Sequence, residues 1–506
     1  MQGHSEPNRE FLDADALCRK LVAEGSVEAF LADHRSELFP DEMFADLFPS
    51  GKGRPSVPAD VLATVMVLQS LEGLSDRDAA RALRDRISWK VATGLALDDE
   101  GFHPTVLTYW RSRLRASERP ERIFDAVRSV VRATGVLKSR TRRALDSTLL
   151  DDAVATQDTV TQLISAIRGV RRQIPQAAQI PLHGHDYEAG AKPLIAWDDP
   201  VAKQQLVSAL VNDALALFEA IDPEGLTDAQ QDAVGLLGLV AGQDVEPAET
   251  QGTWRIAQRV APDRIISTVD PEARHMHKSV SSYRDGYKAH IAVEPTTGLI
   301  TAVALTPANA ADGPTGVALL EGEAPGIEVL ADSAYGSGQT RAALAQAHHR
   351  VTIKPIPLSS AVAGGFTIDE FTIDTAAGTV TCPAHHRVAI SPGGSATFGK
   401  RCRGCPLRPR CTRAVRGRIL RVHPHHDLLH AARQDASTPQ FQDSYRTYRP
   451  MVERSIAWVV ARDHRRLRYR GLARNQLGLS MRVAAINLRR LINMGLDHDG
   501  GWVLAT

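Results

Sequence analysis

Three acidic residues stand where a carboxylate could take part in catalysis. Asp146 and Asp332 each lie at or near the end of an apolar segment with strand character, and Glu453 lies beside an apolar helical stripe. Three carboxylates that meet at one sheet edge can hold two hard divalent cations, which activate a water or hydroxyl group and stabilise the leaving oxygen in phosphodiester cleavage. The chain has 59 acidic residues, and most acids serve as caps or ion-pair partners, so spacing alone leaves both interpretations open.

Four of the five cysteines lie close together, in a segment rich in Gly, Pro and Arg. Their pattern suits a tetrahedral Zn²⁺ bound by four thiolates. Reduced structural thiols in an inserted β module are the alternative, and the grouping with an isolated Cys18 does not resemble a secreted disulfide framework. The candidate zinc ligands are Cys382, Cys402, Cys405 and Cys411.

The chain is nearly neutral, with a formal net charge of +1, so any surface for nucleic acid must come from local segregation of charge. Between residues 446 and 490, twelve arginines face only two acids, and a second group of arginines lies at residues 111–122. Such clusters predict contact with a polyanion, whereas the alternative is a solvated helix face. The candidate DNA-contact residues are Arg111, Arg113, Arg115, Arg449, Arg454, Arg465, Arg466, Arg468 and Arg470.

The elements that must position these residues are helical at the N-terminus. Pro58 predicts the first turn of a helix that Gly73 ends, Ser75 predicts the N-cap of a second helix, and Pro104 opens another. Two helices joined by the tight turn at residues 73–75 resemble a helix-turn-helix, which can place a helix in the major groove of DNA. Helical pairs are equally common in any α domain.

Strand patterns follow. One strand is predicted around Asp146, a hairpin at residues 287–293 and 299–305, and a further strand at residues 327–332. A long helical stretch between the first strand and the hairpin is typical of an insertion. Pro450 is predicted to set the first turn of the helix that carries Glu453.

Several short motifs resemble, in order, those of bacterial insertion-sequence transposases of the DDE class, and the similarity spans nearly the whole chain. These motifs lie at residues 53–58, 74–77, 145–148, 285–290, 297–299, 306–309, 331–336 and 449–453. The resemblance implies a ribonuclease-H-like core in which Asp146, Asp332 and Glu453 are catalytic and bind Mg²⁺ or Mn²⁺. The chain departs from the family pattern at Arg446, where a Tyr is usual, and at Val460, where a Lys is usual.

Other acids are weaker candidates. Asp270 lies in a further stretch similar to the family and could lie near the site. Asp151 and Asp152 are rival ligands because they are close to Asp146 in the chain, although they follow the predicted strand.

The expected fold is an α/β ribonuclease-H-like core with an all-helical N-terminal domain, a helical insertion and a small cysteine-bearing insertion. The expected boundaries are a DNA-binding domain at 1–135, core segments at 136–160 and 261–360 around an insertion at 161–260, a cysteine-bearing insertion at 361–425, and a catalytic helix with a basic tail at 426–506.

The resemblance implies metal-dependent cleavage of double-stranded DNA at transposon ends and strand transfer to target DNA, by a homodimer or larger assembly on DNA. A catalytically inactive, transposase-derived DNA-binding protein and a metal-dependent nuclease are the alternatives. Residues 1–10 lack the apolar core of a signal peptide, and the most apolar helical segment is too short to span a bilayer. We therefore expect a bacterial cytoplasmic protein, associated with the nucleoid, that has no membrane partner.

Overall fold

The N-terminal part of the chain is helical, as predicted. The computed structural model describes residues 1–5, 11–279 and 282–504. Pro58 precedes the central helix of this part, Gly73 ends it with a φ of 71°, and the Ser75 side chain accepts the Asp78 N–H of the next helix. The helices are α1 (Ala14–Cys18), α2 (Val27–Leu38), α3 (Ala59–Glu72), α4 (Asp76–Asp85), α5 (Ile87–Thr93), α6 (Thr105–Ala116) and α7 (Arg122–Ala133).

A long strand, β1 (Arg142–Asp151), precedes a second helical group. This group contains α8 (Thr159–Gln173), α9 (Pro200–Ala220) and α10 (Asp228–Asp244), followed by the short hairpin of β2 (Val245–Pro247) and β3 (Trp254–Ile256). Its buried side chains, among them Leu163, Leu210 and Leu237, pack on one another and form a hydrophobic core of their own. The helices therefore do not depend on the central sheet for their apolar contacts.

The central sheet is mixed. Its remaining strands are β4 (Arg274–Ser279), β5 (Ser282–Val293), β6 (Ile300–Pro307), β7 (Glu328–Ala331) and β8 (Arg350–Ile353), and the helices α11 (Asp312–Ala318) and α12 (Gly338–Gln346) lie between them in sequence. The order is β4-β5-β1-β7-β8, with β6 also paired to β5. The antiparallel β5–β6 pair confirms the predicted hairpin, and β7 and β8 run parallel to β1.

The cysteine-bearing segment forms small sheets. Its elements are β9 (Thr372–Asp374), β10 (Thr379–Thr381), β11 (Arg387–Ala389), β12 (Ser395–Thr397), α13 (Arg408–Cys411) and β13 (Ile419–Arg421). Strands β9 to β11 form one antiparallel sheet, and β12 pairs with β13. Its core is small, with Phe371, Val380, Phe398 and Leu420 at its centre.

Three helices and a hairpin complete the described chain: α14 (His426–Ala436), α15 (Pro439–Val460), α16 (Leu472–Asn493), β14 (Leu496–His498) and β15 (Trp502–Leu504). The prediction that Pro450 opens the catalytic helix is wrong. Helix α15 begins eleven residues earlier, at Pro439, because Thr438 caps it by accepting the Phe441 N–H, and Pro450 lies inside the helix. Among the described residues, no helix is long and apolar enough to cross a membrane.

Candidate active site

The register of two parallel strands brings Asp146 and Asp332 together. Strand β1 pairs with β7 from Arg142 opposite Glu328 to Ala144 opposite Leu330, and Asp146 and Asp332 each lie two residues beyond this last pair. Asp332 directly follows β7, where its Oδ1 accepts the Ala334 N–H at 3.0 Å. The two carboxylates therefore lie where the parallel pairing stops.

The sequence suggested that Asp146 lies at or near the end of its strand, but the structure places it in the middle of β1. Beyond Ala144, β1 continues to Asp151 and stays paired with β5, while its ladder with β7 has already ended. One edge of β1 thus becomes free of strand pairing close to Asp146. A side chain can approach this carboxylate from the β7 side.

Helix α15 supplies a cation to this position. The Arg449 Nη2 lies 3.1 Å from an oxygen of Asp146, and its Nη1 lies 3.6 Å from an oxygen of Glu453, one helical turn further along. The Arg449 side chain is only 5% exposed, whereas that of Glu453 is 66% exposed. The arginine therefore links Asp146 to Glu453, and the structure brings both acids to the same guanidinium group.

Burial and neighbouring charges shift the pKa values of Asp146 and Arg449. Burial raises the pKa of Asp146, and the charge of Asp332 adds to this effect, while Arg449 and the Ser147 N–H oppose it. Burial disfavours the charged form of Arg449, but the neighbouring acids outweigh it and raise the Arg449 pKa. Its Nε and Nη1 have no hydrogen-bond partner within the described residues. Both donors are buried, and Nη1 lies 3.6 Å from Glu453, so the guanidinium faces the carboxylates and not the solvent.

The predicted metal site is not assembled in this structure. In residues 1–5, 11–279 and 282–504, no group of three or more His, Cys, Asp or Glu side chains is arranged to hold a metal ion. Because Arg449 contacts both Asp146 and Glu453, a metal ion would have to compete with its guanidinium group for these two carboxylates. The donor set nevertheless suits Mg²⁺ or Mn²⁺, since all three groups offer carboxylate oxygens and a hard cation would offset the effect of Asp332 on the Asp146 pKa.

The four clustered cysteines line one apolar cavity of the small β module. Burial raises the pKa of the Cys411 thiol, and the neighbouring thiols of Cys402, Cys382 and Cys405 raise it further. The backbone N–H of Arg418 donates to the Cys402 sulfur at 3.4 Å. All five cysteines are free, and among the described residues the clustered thiols are not arranged to hold a metal ion.

The rival acids form a separate group at the other end of β1. Asp151 pairs with Arg284 at 2.5 Å. Burial raises the pKa of Asp152 to about 6, and the charges of Asp285, Asp270 and Asp151 contribute. Asp270 is buried and accepts the Tyr287 hydroxyl at 2.6 Å. The structure therefore places Asp270 with Asp152, which directly follows β1 and lies six residues along the chain from Asp146.

The candidate DNA-contact arginines fall into two groups. Five are exposed: Arg113, Arg454, Arg466, Arg468 and Arg470, of which Arg468 also donates to the backbone carbonyls of Gly73 and Leu74. The others are half-buried or buried, and three of them contact other protein groups: Arg449 as described, Arg111 through an ion pair with Asp76, and Arg465 through the Leu149 carbonyl at 3.1 Å. Arg115 is half-buried.

Sequence reasoning missed the interior role of Arg482. This residue is 3% exposed, and burial lowers its pKa to about 10. A signal was present, because Arg482 lies at helical spacing between Leu479 and Ile486, which are both buried in α16. An arginine in an apolar stripe is more typical of a buried hydrogen-bonding group than of a DNA contact.

A polar network directly behind the site was also missed. The Ser147 hydroxyl donates to Asp312 at 2.7 Å, and Lys288 lies 3.4 Å from the same carboxylate. Ser147 follows Asp146 in β1 and points to the opposite face of the sheet, because side chains alternate along a strand. The alternation of Lys288 with buried apolar residues in β5 could have indicated that it faces this network.

Two segments of the chain match families of transposase domains. Residues 381–492 match the family described as "Transposase DDE domain", and residues 20–113 match the family described as "Transposase domain (DUF772)". These matches support a transposase role. More particularly, they confirm the resemblance to the DDE transposases of insertion sequences. No curated protein and no solved structure matches the chain.

The DDE match implies a ribonuclease-H-like fold, the general use of divalent metal ions and a DNA substrate, and the mixed sheet with flanking helices is consistent with that fold. The matched segment contains Glu453 and the four clustered cysteines but neither Asp146 nor Asp332. The second match contains α3, α4 and most of α6.

Proposed function

We propose that the chain is a DNA transposase that cleaves DNA at transposon ends and transfers the cut strand to target DNA, with Asp146, Asp332 and Glu453 as its catalytic carboxylates. The observation that carries this proposal is the position of Asp146 and Asp332 just past the last β1–β7 pair, where the charge of Asp332 acts on Asp146, together with the Arg449 bridge to Glu453. It is supported by the transposase-domain matches at both ends of the chain.

Divalent cations, Mg²⁺ or Mn²⁺, would be held by the three carboxylates and would supply activation of the attacking oxygen and stabilisation of the leaving oxygen. The chain's own groups set the conditions for this. Burial raises the pKa of Asp146, so a neighbouring positive charge stabilises its ionised form. Arg449 provides that charge in this structure, and its unpartnered donors suit a phosphate of the DNA.

The same proposal assigns DNA contact to the two ends of the chain. The helices α3 to α6 form the DNA-binding part of the N-terminal domain, and the exposed arginines Arg454, Arg466 and Arg470 contact the phosphate backbone. The division into domains proposed from the sequence is kept, with two insertions in the core. Because transposon ends are processed in pairs, the protein acts as a dimer or larger assembly on DNA.

A strand-transfer assay tests the proposal. Purified protein with Mg²⁺ or Mn²⁺ is incubated with a labelled duplex that carries the element's own terminal sequence, and with a supercoiled plasmid. We expect labelled DNA joined to the plasmid, and loss of all products with a chelator. Cleavage without joining would instead indicate a metal-dependent nuclease. Binding without cleavage under any metal would indicate an inactive DNA-binding relative.

We further propose that Cys382, Cys402, Cys405 and Cys411 bind one structural Zn²⁺. The four thiols share one apolar cavity, and the other three lie close enough to Cys411 to raise its pKa. The N–H donated to Cys402 also supports this assignment, because backbone donors stabilise thiolate ligands. The module also has few buried apolar residues, and small cores of this kind are commonly stabilised by a metal.

We expect metal analysis of the purified chain to give about one zinc per molecule. The double variant Cys402→Ser, Cys405→Ser should lose the zinc and lower the melting temperature, because two thiolates no longer bind. Cys18→Ser is the matched control and should keep the metal, since Cys18 lies in the N-terminal helices. A folded and active preparation that contains no zinc would contradict this assignment.

A further inference from the structure

A short segment after helix α15 connects three parts of the molecule. We call residues 461–468, together with Arg482, the joint. On one side the joint pairs with the end of β1, since the Asp151 N–H donates to the Arg465 carbonyl and the Leu467 N–H donates to the Asp151 carbonyl, both at 2.8 Å. The joint therefore lies parallel to the end of the strand that carries Asp146, on the edge of β1 that β7 leaves unpaired.

On the other side the joint binds the turn between α3 and α4. Arg468 donates to the carbonyls of Gly73, at 2.6 Å, and of Leu74. His464 Nε2 lies 3.0 Å from the Ser70 carbonyl, and burial lowers the pKa of His464 to about 3, so that its ring is neutral and Nε2–H donates to this carbonyl. Three residues of the turn region thus depend on side chains that lie almost 400 residues later in the chain.

Arg482 joins two helix ends. It donates to the Ser70 carbonyl at 2.6 Å, near the end of α3, and to the Trp458 carbonyl at 2.7 Å, near the end of α15. The last carbonyls of a helix lack partners within it and carry the negative end of the helix dipole, so a buried guanidinium is well placed between two such ends. No ion pair joins Arg482 to a carboxylate in the described part of the chain.

The turn approaches the joint so closely that only glycine fits. A Cβ added to Gly73 would lie 2.4 Å from the Arg462 carbonyl oxygen. The φ of Gly73 is also positive, at 71°. The α3–α4 turn and the joint are therefore in backbone contact, and a methyl group would force them apart.

We propose that the joint fixes the position of the α3–α4 turn relative to Asp146 and Glu453, so that a DNA end held by the N-terminal helices reaches the carboxylates at one phosphate only. This inference rests on the proposed transposase function. Asp146 lies five residues from Asp151 in β1, and Glu453 lies seven residues before the end of α15 at Val460. At the usual rise per residue these spans are roughly 17 and 10 Å, short enough for two rigid elements to transmit the position.

Arg468, His464 and Arg482 are positioning residues in this proposal, and two variants test it. Gly73→Ala separates the turn from the joint without a change of charge. Gly135→Ala is its matched control, since Gly135 has a φ of 65° after α7 but has no atom within 4 Å of an added Cβ. Arg468→Lys keeps the positive charge for DNA but loses the two-pronged donation to Gly73 and Leu74.

The readout is the position of cleavage on labelled end DNA, resolved to single nucleotides, together with end-binding affinity. For Gly73→Ala and Arg468→Lys we expect cleavage at the normal phosphate to fall about tenfold, with new products at neighbouring phosphates and affinity within about twofold. Gly135→Ala shares the unfavourable positive φ but not the clash, so it should lower the melting temperature less than Gly73→Ala does and should cut at the normal position. Arg468→Lys changes an exposed side chain, so it keeps the test decisive if Gly73→Ala does not fold.

Normal cleavage positions and rates in both Gly73→Ala and Arg468→Lys would overturn the inference and leave the proposed function standing. A wild-type chain that joins no DNA would overturn the proposed function and the inference with it. Loss of end binding in Arg468→Lys would also contradict the inference, since it would show that Arg468 reads DNA and does not position the turn.

Discussion

Asp146→Asn and Glu453→Gln are each expected to lower DNA cleavage at least about a thousandfold, which corresponds to about 4 kcal/mol of transition-state stabilisation. Each change removes a negative charge that a divalent cation needs while nearly keeping the shape of the side chain. Binding of transposon-end DNA should stay within about twofold, because neither carboxylate is expected to attract a phosphate in the absence of metal.

The measurement is single-turnover cleavage with Mg²⁺ and with Mn²⁺, alongside an equilibrium binding assay. Asp443→Asn is the matched control, since Asp443 lies on the same helix as Glu453, is 76% exposed and is 3.9 Å from Arg446. It should cleave at the wild-type rate. Wild-type cleavage by either catalytic variant would remove that residue from the proposed site.

The N-terminal helices could be predicted because their signals are local. A proline before α3, a glycine after it and a serine cap on α4 act within a few residues, and the structure has each of them in that role. The start of α15 was missed because two prolines compete. Pro450 lies close to Glu453 in sequence, but the helix is capped by Thr438 and begins at Pro439. Packing of α15 on the sheet keeps Pro450 inside the helix.

The pair of aspartates was also accessible from sequence, because strand patterns around Asp146 and Asp332 are short-range features. The relative position of the two aspartates could not be predicted, because it depends on the β1–β7 register, which pairs residues 186 positions apart. That β1 extends beyond Asp146 also escaped prediction. Its last residues are held by β5 and by the joint, and both lie far away in the chain.

The charge pattern was the least reliable guide. A count of arginines between residues 446 and 490 cannot separate a guanidinium that faces DNA from one that binds backbone carbonyls. Arg482 and Arg490 both donate to carbonyls from distant segments, at Ser70 and at Gly298, and burial lowers the pKa of each to about 10. Only the positions of helix ends in three dimensions reveal such partners.

Arg449→Met is expected to have two effects of opposite sign. Cleavage of end DNA should fall about a hundredfold, because the variant loses a planar donor group that suits a phosphate oxygen. Binding of Mn²⁺ to the DNA-free protein should tighten at least about tenfold, because a unit positive charge 3.1 Å from Asp146 and 3.6 Å from Glu453 repels a cation at those carboxylates.

The two effects separate the possible roles of this arginine. If Arg449 only compensates the charge of the acids, its loss should tighten metal binding and leave cleavage at saturating metal nearly unchanged. If it only positions DNA, cleavage should fall while the Mn²⁺ affinity stays constant. Titration of Mn²⁺ by calorimetry measures the metal affinity, and single-turnover cleavage at saturating Mn²⁺ measures the effect on DNA cleavage.

Arg446→Met is the control for metal binding. Arg446 lies on the same helix and is 78% exposed, and within the described residues its ion pair is with Asp443. Unchanged values of both quantities in Arg449→Met would show that the contact between Arg449 and the carboxylates has no part in catalysis, and would withdraw Arg449 from the proposed site.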